Sequence, residues 1–161
     1  MAATKYYNGS MRNLVYRLRK FKDILEQELK DEILKHEEVI VNMIAEEQLF
    51  EQGIEGRGIK IMSYQPYKPS TIKRKLKKGQ PTDRVTLRDT GEFHASLHVE
   101  FDEGGFYVTS TDDKAKYLLD RYGKTIFRLT NENLKVLLND YIRPELYSKL
   151  KAYIKNGWKK R

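Results

Sequence analysis

The chain has 161 residues, of which 39% are apolar and 34% charged, and its formal net charge is +8; this length and composition predict a single domain with a hydrophobic core. It has no cysteine, which excludes disulfides and thiolate metal sites. No apolar run approaches the roughly 20 residues that span a bilayer, and the first residues lack the hydrophobic core of a secretory signal, so we expect no membrane contact and no secretion.

Charge is segregated along the sequence. Residues 1–22 carry a net charge of +6, residues 23–55 carry −9, residues 56–88 carry +9 and residues 89–161 carry +2. Opposite charges on separate segments favour head-to-tail contact between copies, and the basic segments are also compatible with contact to DNA. Solvated charged faces without any partner are the alternative interpretation.

Residues 10–52 are predicted to form one long amphipathic helix with Ser10 as its N-cap. No proline or glycine occurs between Met11 and Gln52, and the helix would be ~57 Å long. A compact domain of this size is only roughly 40 Å across. We therefore expect the helix to extend beyond its domain, with a neighbouring subunit covering its apolar stripe, and a kink near residues 30–36 is the alternative. The stripe comprises Met11, Leu14, Leu18, Phe21, Leu25, Leu29, Ile33, Ile40, Met43 and Ile44.

The middle of the chain combines a loop, a short basic helix and a hairpin. Ser70 has the position of an N-cap for the basic helix, and Gly79 that of its stop. Asp89 and Glu92 have capping-box spacing for a following helical turn. The predicted segments are a flexible loop at 53–69 with a hinge at its glycines and a short strand at 59–64, a helix at 70–78, a helical turn at 93–96, and strands at 97–101 and 106–109 joined by a turn.

The last third of the chain is predicted to be helical. Asp112 would cap one helix that Gly123 ends, and Thr130 would cap the final helix, which Pro144 should kink or split. The predicted segments are a helix at 112–122, an extended link at 124–129, a helix at 130–156 that Gly157 ends, and a basic tail at 157–161. The elements together predict one α+β domain over residues 1–161, with helices at both ends and a small antiparallel sheet.

No catalytic, cofactor or metal site is predicted. A zinc-protease motif starting at His36 would need a second histidine at position 40, which is Ile40. His94 and His98 could share a metal only on a continuous helix, and the strand pattern that starts at Leu97 argues against one. The glycines at 53–58 lack the spacing of a dinucleotide fingerprint. We therefore expect a protein that is not an enzyme and has no cofactor.

A basic cluster between residues 68 and 78 is the candidate interface. Six cations in eleven residues could neutralise phosphates and give binding a steep salt dependence. Tyr64 and Tyr67 precede the cluster and could stack on bases. A solvated helix, or one that docks on an acidic neighbour, is equally consistent with the pattern. The six cations are Lys68, Lys73, Arg74, Lys75, Lys77 and Lys78.

The sequence YKPSTIKRK at 67–75 resembles the "proline, Ser/Thr-x-x-Thr-x-x-x-Lys" signature of phage tail-completion and virion-morphogenesis proteins, which are minor structural proteins of the head–tail junction. A second element, "Leu-x-x-(Ser/Thr)-Gly-x-(Leu/Phe)-x-x-Ser-(Leu/Ile)", follows after a loop. A hairpin, a helical segment that ends in Tyr-Gly and a closing helix come next, so that the resemblance covers residues 60–155. The matching residues are Pro69, Thr71, Lys75, Leu87, Thr90, Gly91, Phe93, Ser96, Leu97, Tyr122 and Gly123.

The resemblance implies an α+β subunit that is made in the host cytoplasm and assembles into a ring of six or twelve copies at the neck or tail top of the virion. Its partners would be the portal-side connector and the tail proteins, and its basic helix would face an acidic neighbour or the packaged DNA. A nucleic-acid-binding protein outside a virion, using residues 68–78, is the first alternative. An adaptor that uses the first helix as a coiled coil is the second.

Overall fold

The computed structural model describes residues 11–155, with side chains from Val15 to Ala152 except Arg17. This part of the chain contains helices at both ends and one two-stranded antiparallel sheet, which confirms the α+β class. None of the described helices combines the length and the apolar character needed to cross a bilayer. The helices are α1 Met11–Lys35, α2 Glu37–Asn42, α3 Pro69–Lys77, α4 Glu92–Ala95, α5 Ala115–Tyr122, α6 Asn131–Val136 and α7 Arg143–Lys155; the strands are β1 Leu97–Asp102 and β2 Gly105–Ser110.

The predicted single helix at 10–52 is wrong in its continuity. It is interrupted at His36, where φ is −104° and ψ is 19°, within the region for which a kink was the alternative. After α2 the chain continues as a π-helix, Met43–Gln52, which ends at Gly53 in the left-handed conformation. Ser10 lies outside the described residues. The sequence therefore predicts the helical content of this segment but not its division into three parts.

The N-terminal half of α1 projects from the core. Val15, Tyr16 and Leu18 are 44%, 57% and 58% exposed. The second half packs against α7, where the Lys149 ammonium lies 2.9 Å from Glu28 Oε2 and 2.6 Å from a Glu32 carboxylate oxygen. Of the predicted apolar stripe, Leu18 is therefore left exposed by the described residues.

The segment after the π-helix is packed rather than extended. The strand predicted at 59–64 is wrong, because only a single bridge pairs Ile54 with Lys60 and the chain then enters a 3-10 turn, Ile61–Ser63. The N–H of the buried Gly56 donates to the Thr125 carbonyl at 2.9 Å. Such backbone bonds attach the predicted flexible loop to the C-terminal part of the domain.

Local sequence signals set the ends of α3 and α4 differently from the prediction. Pro69 is the first helical residue of α3, where its missing N–H is not needed, so Ser70 is not the N-cap. The N-cap of α4 is Gly91, with φ at 98°, and the predicted capping box from Asp89 is wrong. The carboxylate of Asp89 instead forms a salt bridge with Lys78, 2.5 Å away.

The hairpin has the predicted alternation of more and less buried residues along its strands. Its pairs run from Leu97 opposite Ser110 at the base to Asp102 opposite Gly105 at the tip. Leu97 and Val99 are buried, as the alternation predicts. The Val99 N–H donates to Glu37 Oε1 at 2.7 Å, which ties β1 to α2.

The C-terminal helices follow their predicted signals with two exceptions. Thr130 caps α6, its Oγ1 accepting from the Asn133 N–H at 3.2 Å, and Gly123 ends α5 with φ at 83°. The cap predicted at Asp112 is wrong, because the N-cap of α5 is Lys114 and the Asp112 carboxylate accepts from the Lys114 N–H at 2.8 Å in the turn before the helix. The extended link predicted at 124–129 is wrong, because a 3-10 turn occupies Lys124–Phe127.

Pro144 splits the last helix, as predicted, through a change of helix type. The chain widens into a π-helix over Leu137–Ile142 and returns to α geometry at Arg143. Pro144 thereby occupies the first turn of α7, where an N–H that cannot donate is tolerated. Gly157 and the basic tail lie outside the described residues.

The core joins the first helices to the hairpin and the C-terminal helices. Gln48, with no exposed surface, spans this junction because its Nε2 donates to the Arg128 carbonyl at 3.0 Å and its Oε1 accepts from the Thr130 N–H at 2.8 Å. Such satisfied polar groups can be buried without the cost of a lost hydrogen bond. The fully buried apolar side chains are Ile40, Ile44, Leu49, Ile61, Val85, Ile126 and Leu137.

Candidate functional site

Most of the predicted interface cations lie exposed on or beside α3. Lys78 is neutralised by Asp89, and its hydrogen bond to that carboxylate holds the pKa of Asp89 below its ordinary value. Leu76 is 63% exposed on the same helix. The exposed cations of the cluster that form no salt bridge with any described residue are Lys68, Lys73, Arg74 and Lys77.

Lys75 is the exception, and its predicted place on the exposed interface is wrong. The residue is 4% exposed. Its Nζ donates to the Arg88 carbonyl at 2.8 Å and to Thr86 Oγ1 and Gln80 Oε1 at 3.3 Å each. The ammonium also lies 5.2 Å from the centre of the Tyr67 ring. Three neutral acceptors and an aromatic face thus hold this buried cation, which forms no salt bridge with a described carboxylate.

Thr86 is the centre of the buried polar network around Lys75. Its N–H donates to Tyr67 Oη at 2.9 Å, and its carbonyl oxygen lies 3.0 Å from His94 Nε2. The network therefore fastens α3 and α4 to the loop at 80–91. Thr86 and Gln80 were not predicted as part of any site. No sequence spacing indicates their role, because their hydrogen-bond partners come from other segments.

His94 is buried beneath this network, and burial is the main reason why its pKa lies below the ordinary value. The contact of Nε2 with a carbonyl oxygen assigns the proton of the neutral ring to that nitrogen. The other ring nitrogen, Nδ1, has no hydrogen-bond partner among the described residues. A second proton would therefore be bound without a partner in the folded protein.

We expect acidification to destabilise the fold through His94. The unfolded chain takes up a proton near pH 6.5 whereas the folded chain resists it, so this contribution to stability is complete above that pH and is lost as the pH falls below it. The loss is at most about 1.4 kcal/mol per pH unit. Urea unfolding at several pH values between 7.5 and 5 should show a shallower pH dependence in His94→Gln than in the wild type. Equal slopes in the two proteins would contradict the prediction.

Seven of the eleven motif residues line one cleft of about 370 Å³ between α3 and α5, which we call the α3–α5 cleft. Of the other four, Pro69 begins α3, Ser96 and Leu97 lie at the base of the hairpin, and Gly123 ends α5. The Ser96 hydroxyl bonds the Phe93 carbonyl at 2.8 Å and Ser110 Oγ at 2.6 Å, which closes that base. The seven lining residues are Thr71, Lys75, Leu87, Thr90, Gly91, Phe93 and Tyr122.

The backbone of Leu87 is strained at this cleft. Among the described residues it is the one non-glycine residue with positive φ, at 51°. This conformation costs a leucine about 1–2 kcal/mol. The neighbouring Arg88 N–H donates to Thr86 Oγ1 at 3.3 Å, so the network around Lys75 helps to hold the strained turn. Strain of this kind is concentrated at functional sites.

The α3–α5 cleft has an excess of positive charge, because five cations and two carboxylates, those of Asp89 and Asp112, line it. Arg88 and Lys114 line it but are paired with Glu46 and Glu92, at 2.9 and 2.7 Å respectively. Three further lining cations form no salt bridge with a described residue, and concave walls concentrate their field. These are Arg74 on α3, the buried Lys75, and Arg121 on α5, whose guanidinium lies over the Tyr122 ring.

Possible metal ligands meet elsewhere, between α1 and α7. One ligand atom from each of Glu32, His36 and Glu145 lies within 4.8 Å of the others. Lys149 and Lys35 form salt bridges with these same carboxylates. Two ammonium groups therefore already supply the positive charge there, and the cluster is best understood as packing between the helices. His94 and His98 do not meet in it.

Comparisons of the chain with protein-family models, with curated proteins and with solved structures gave no significant match.

Proposed function

We propose that the protein is a structural subunit of a bacteriophage virion that forms a ring at the head–tail junction and joins head to tail around the DNA channel. The observation that carries the proposal is that motif residues scattered from Thr71 to Tyr122 line a single strained, cationic cleft. This shared location supports the proposal, because the seven residues form part of one surface feature. The proposed role is mechanical and requires no catalytic group.

Two unpartnered surfaces support an assembling subunit. One is the cationic face of α3, and the other is the first part of α1, where the large side chains of Val15, Tyr16 and Leu18 are exposed. Two different surfaces on one chain suit heterologous contacts, which close into a ring when the rotation between copies allows it. Neighbouring connector and tail proteins would cover whatever the ring itself leaves open.

A nucleic-acid-binding protein outside a virion is the second candidate, and the exposed cations of α3 favour it. Their number is smaller than the sequence indicates, because Lys75 is buried and Lys78 is paired. Tyr67 is unsuited to base stacking, since its hydroxyl is bound to Thr86 and its ring faces Lys75. Four phosphate contacts would give a logarithmic salt slope of about −3.6 on duplex DNA, and a measured slope near this value would favour the second candidate.

Lys73→Glu together with Lys77→Glu should prevent assembly while leaving the monomer folded. Both side chains are exposed and one helical turn apart, so their reversal removes the net positive charge of the α3 face without touching the core. In particles of the phage that encodes the chain, we expect joined heads and tails to fall by about tenfold or more. Electron microscopy of the particles and circular dichroism of the purified variant measure the two effects.

A matched control is Lys60→Glu with Lys135→Glu, which makes the same change of net charge at exposed positions away from α3. This control should assemble like the wild type. Mass spectrometry of purified virions tests the proposal itself, because a virion subunit must be present in them. Its absence from intact particles, or normal assembly of the α3 variant, would refute the corresponding part of the proposal.

A further inference from the structure

The α3–α5 cleft has the chemistry of a receptor for carboxylates. Arg74 on one wall and Arg121 on the other lack carboxylate partners among the described residues, and the buried Lys75 adds a third positive charge. Guanidinium groups bind carboxylates with planar, charge-assisted hydrogen bonds. An anionic group that enters the cleft would therefore meet cations from two helices.

The shape of the cleft favours a protein side chain over a nucleic acid. Leu87, Phe93 and Leu118 supply apolar surface within it, and its volume of about 370 Å³ is that of a small concave pocket. Duplex DNA presents a convex rod of phosphates, which could reach only the rim. A slender acidic loop with small residues could enter fully and use both the apolar wall and the cations.

The tip of the β-hairpin is such a loop. Asp102 and Glu103 are exposed there and form no salt bridge with a described residue, and Gly104 and Gly105 follow them. Asp102 Oδ1 accepts from the Gly104 N–H at 2.7 Å, which shapes the turn. The chain thus carries a narrow tip with two exposed carboxylates that form no salt bridge with a described residue.

The tip cannot reach the cleft of its own chain. The base of the hairpin adjoins that cleft, since Phe93 precedes β1, Asp112 follows β2, and both line it. Five residue steps separate the base pair at Leu97 from the tip pair at Asp102, which is roughly 17 Å of strand. Receptor and ligand therefore lie at opposite ends of one rigid element, an arrangement that suits head-to-tail contact between copies.

We infer that the hairpin tip of one copy docks in the α3–α5 cleft of the next, with Asp102 and Glu103 facing Arg74 and Arg121. The inference rests on the proposed function, because it identifies the contact between adjacent subunits of the ring. The contact is heterologous, so each copy uses its tip on one side and its cleft on the other.

A reciprocal charge exchange tests the contact. The cleft variant is Arg74→Glu with Arg121→Glu. The tip variant is Asp102→Asn with Glu103→Lys, in which asparagine keeps the acceptor that shapes the turn. Sedimentation velocity should show oligomers for the full-length wild type and at least about tenfold weaker association for either variant alone. An equimolar mixture should regain oligomers, because alternating copies match at every contact, and a closed ring then needs an even number of subunits.

The outcomes separate this inference from the proposed function. Variants that associate like the wild type, a mixture that stays dissociated, or a wild type that remains monomeric at millimolar concentration would each overturn the tip-to-cleft contact. Presence of the chain in purified virions would still support the proposed function in those cases. If mixing restored the oligomers but the chain were absent from virions, the tip-to-cleft contact would be supported and the proposed function refuted. Fluorescence anisotropy with a duplex oligonucleotide measures DNA binding by the same variants. If the cleft variant lost DNA binding while its self-association was unchanged, the cleft would be assigned to nucleic acid and the inference would be refuted. Thermal melting of both variants confirms that they fold.

Discussion

Replacing Lys75 with methionine is expected to lower the free energy of unfolding by about 2–3 kcal/mol. Methionine keeps the length and apolar character of the stem but removes the donor, so the Arg88 carbonyl, Thr86 Oγ1 and Gln80 Oε1 all lose a hydrogen bond. Thr86 Oγ1 keeps the Arg88 N–H as a donor at 3.3 Å, so the cost of about 1–3 kcal/mol for a buried acceptor without a partner falls chiefly on the Arg88 carbonyl. Relief from burying an ammonium group offsets only part of this cost, because that group is fully hydrogen-bonded in the wild type.

Lys77→Met provides the comparison. Lys77 lies two residues further along α3, is exposed and forms no salt bridge with a described residue, so the same substitution should change stability by no more than about 0.5 kcal/mol. Urea unfolding of the two variants measures the difference. If both lost the same amount, Lys75 would belong to the exposed face, as the sequence first indicated, and the network around Thr86 would not stabilise the fold.

The sequence predicted the elements whose causes are local. The hairpin depends on alternation from Leu97 and a two-residue turn, and both were visible in the residues. Thr130, Gly79 and Gly123 begin or end helices through their own side chain or backbone freedom. Pro144 acts on the turn that contains it. Signals of this kind need no knowledge of the tertiary structure.

The predictions that were wrong concern segments whose structure depends on contacts with residues far away in the sequence. The 3-10 turn at Lys124–Phe127 offers the Thr125 carbonyl to Gly56, a bond between positions far apart in the sequence. Asp89 was assigned to a cap because of its spacing, yet Lys78 reaches it across the loop at 80–91. Secondary-structure propensities describe each residue and its near neighbours, so they do not include tertiary contacts of this kind.

The candidate site was predicted in part. A count of cations correctly identified an exposed basic helix but treated all six alike, whereas one is buried and one is paired. The sequence identifies the motif residues but does not predict that seven of them line one cleft, because the second wall of that cleft comes from α5. Arg121 carries no sequence signal of its role, because only the fold places it opposite Arg74.

Gly56→Ala is expected to destabilise the protein by about 3 kcal/mol, at the upper end of the range for overpacking. A Cβ at this position would lie 2.5 Å from both the Cβ and the carbonyl oxygen of Arg128. The oxygen belongs to the backbone that also accepts from the buried Gln48 amide, so it cannot move away without breaking that bond. The Gly56 N–H is itself bound to the Thr125 carbonyl, which prevents the glycine from retreating.

Gly58→Ala is the control that distinguishes the cost of a steric clash from the cost of a left-handed backbone conformation. A Cβ there meets nothing within 4 Å, but φ is +76°, so only the cost of a left-handed alanine, about 1–2 kcal/mol, should appear. Thermal and urea unfolding of the two variants should therefore rank Gly56→Ala as clearly the worse. If the ranking were reversed, residues 53–58 would act as the hinge that the sequence indicated. If it holds, Gly56 is the point at which the first helices are fastened to the C-terminal part of the domain, because no other residue type allows the two backbones to approach so closely.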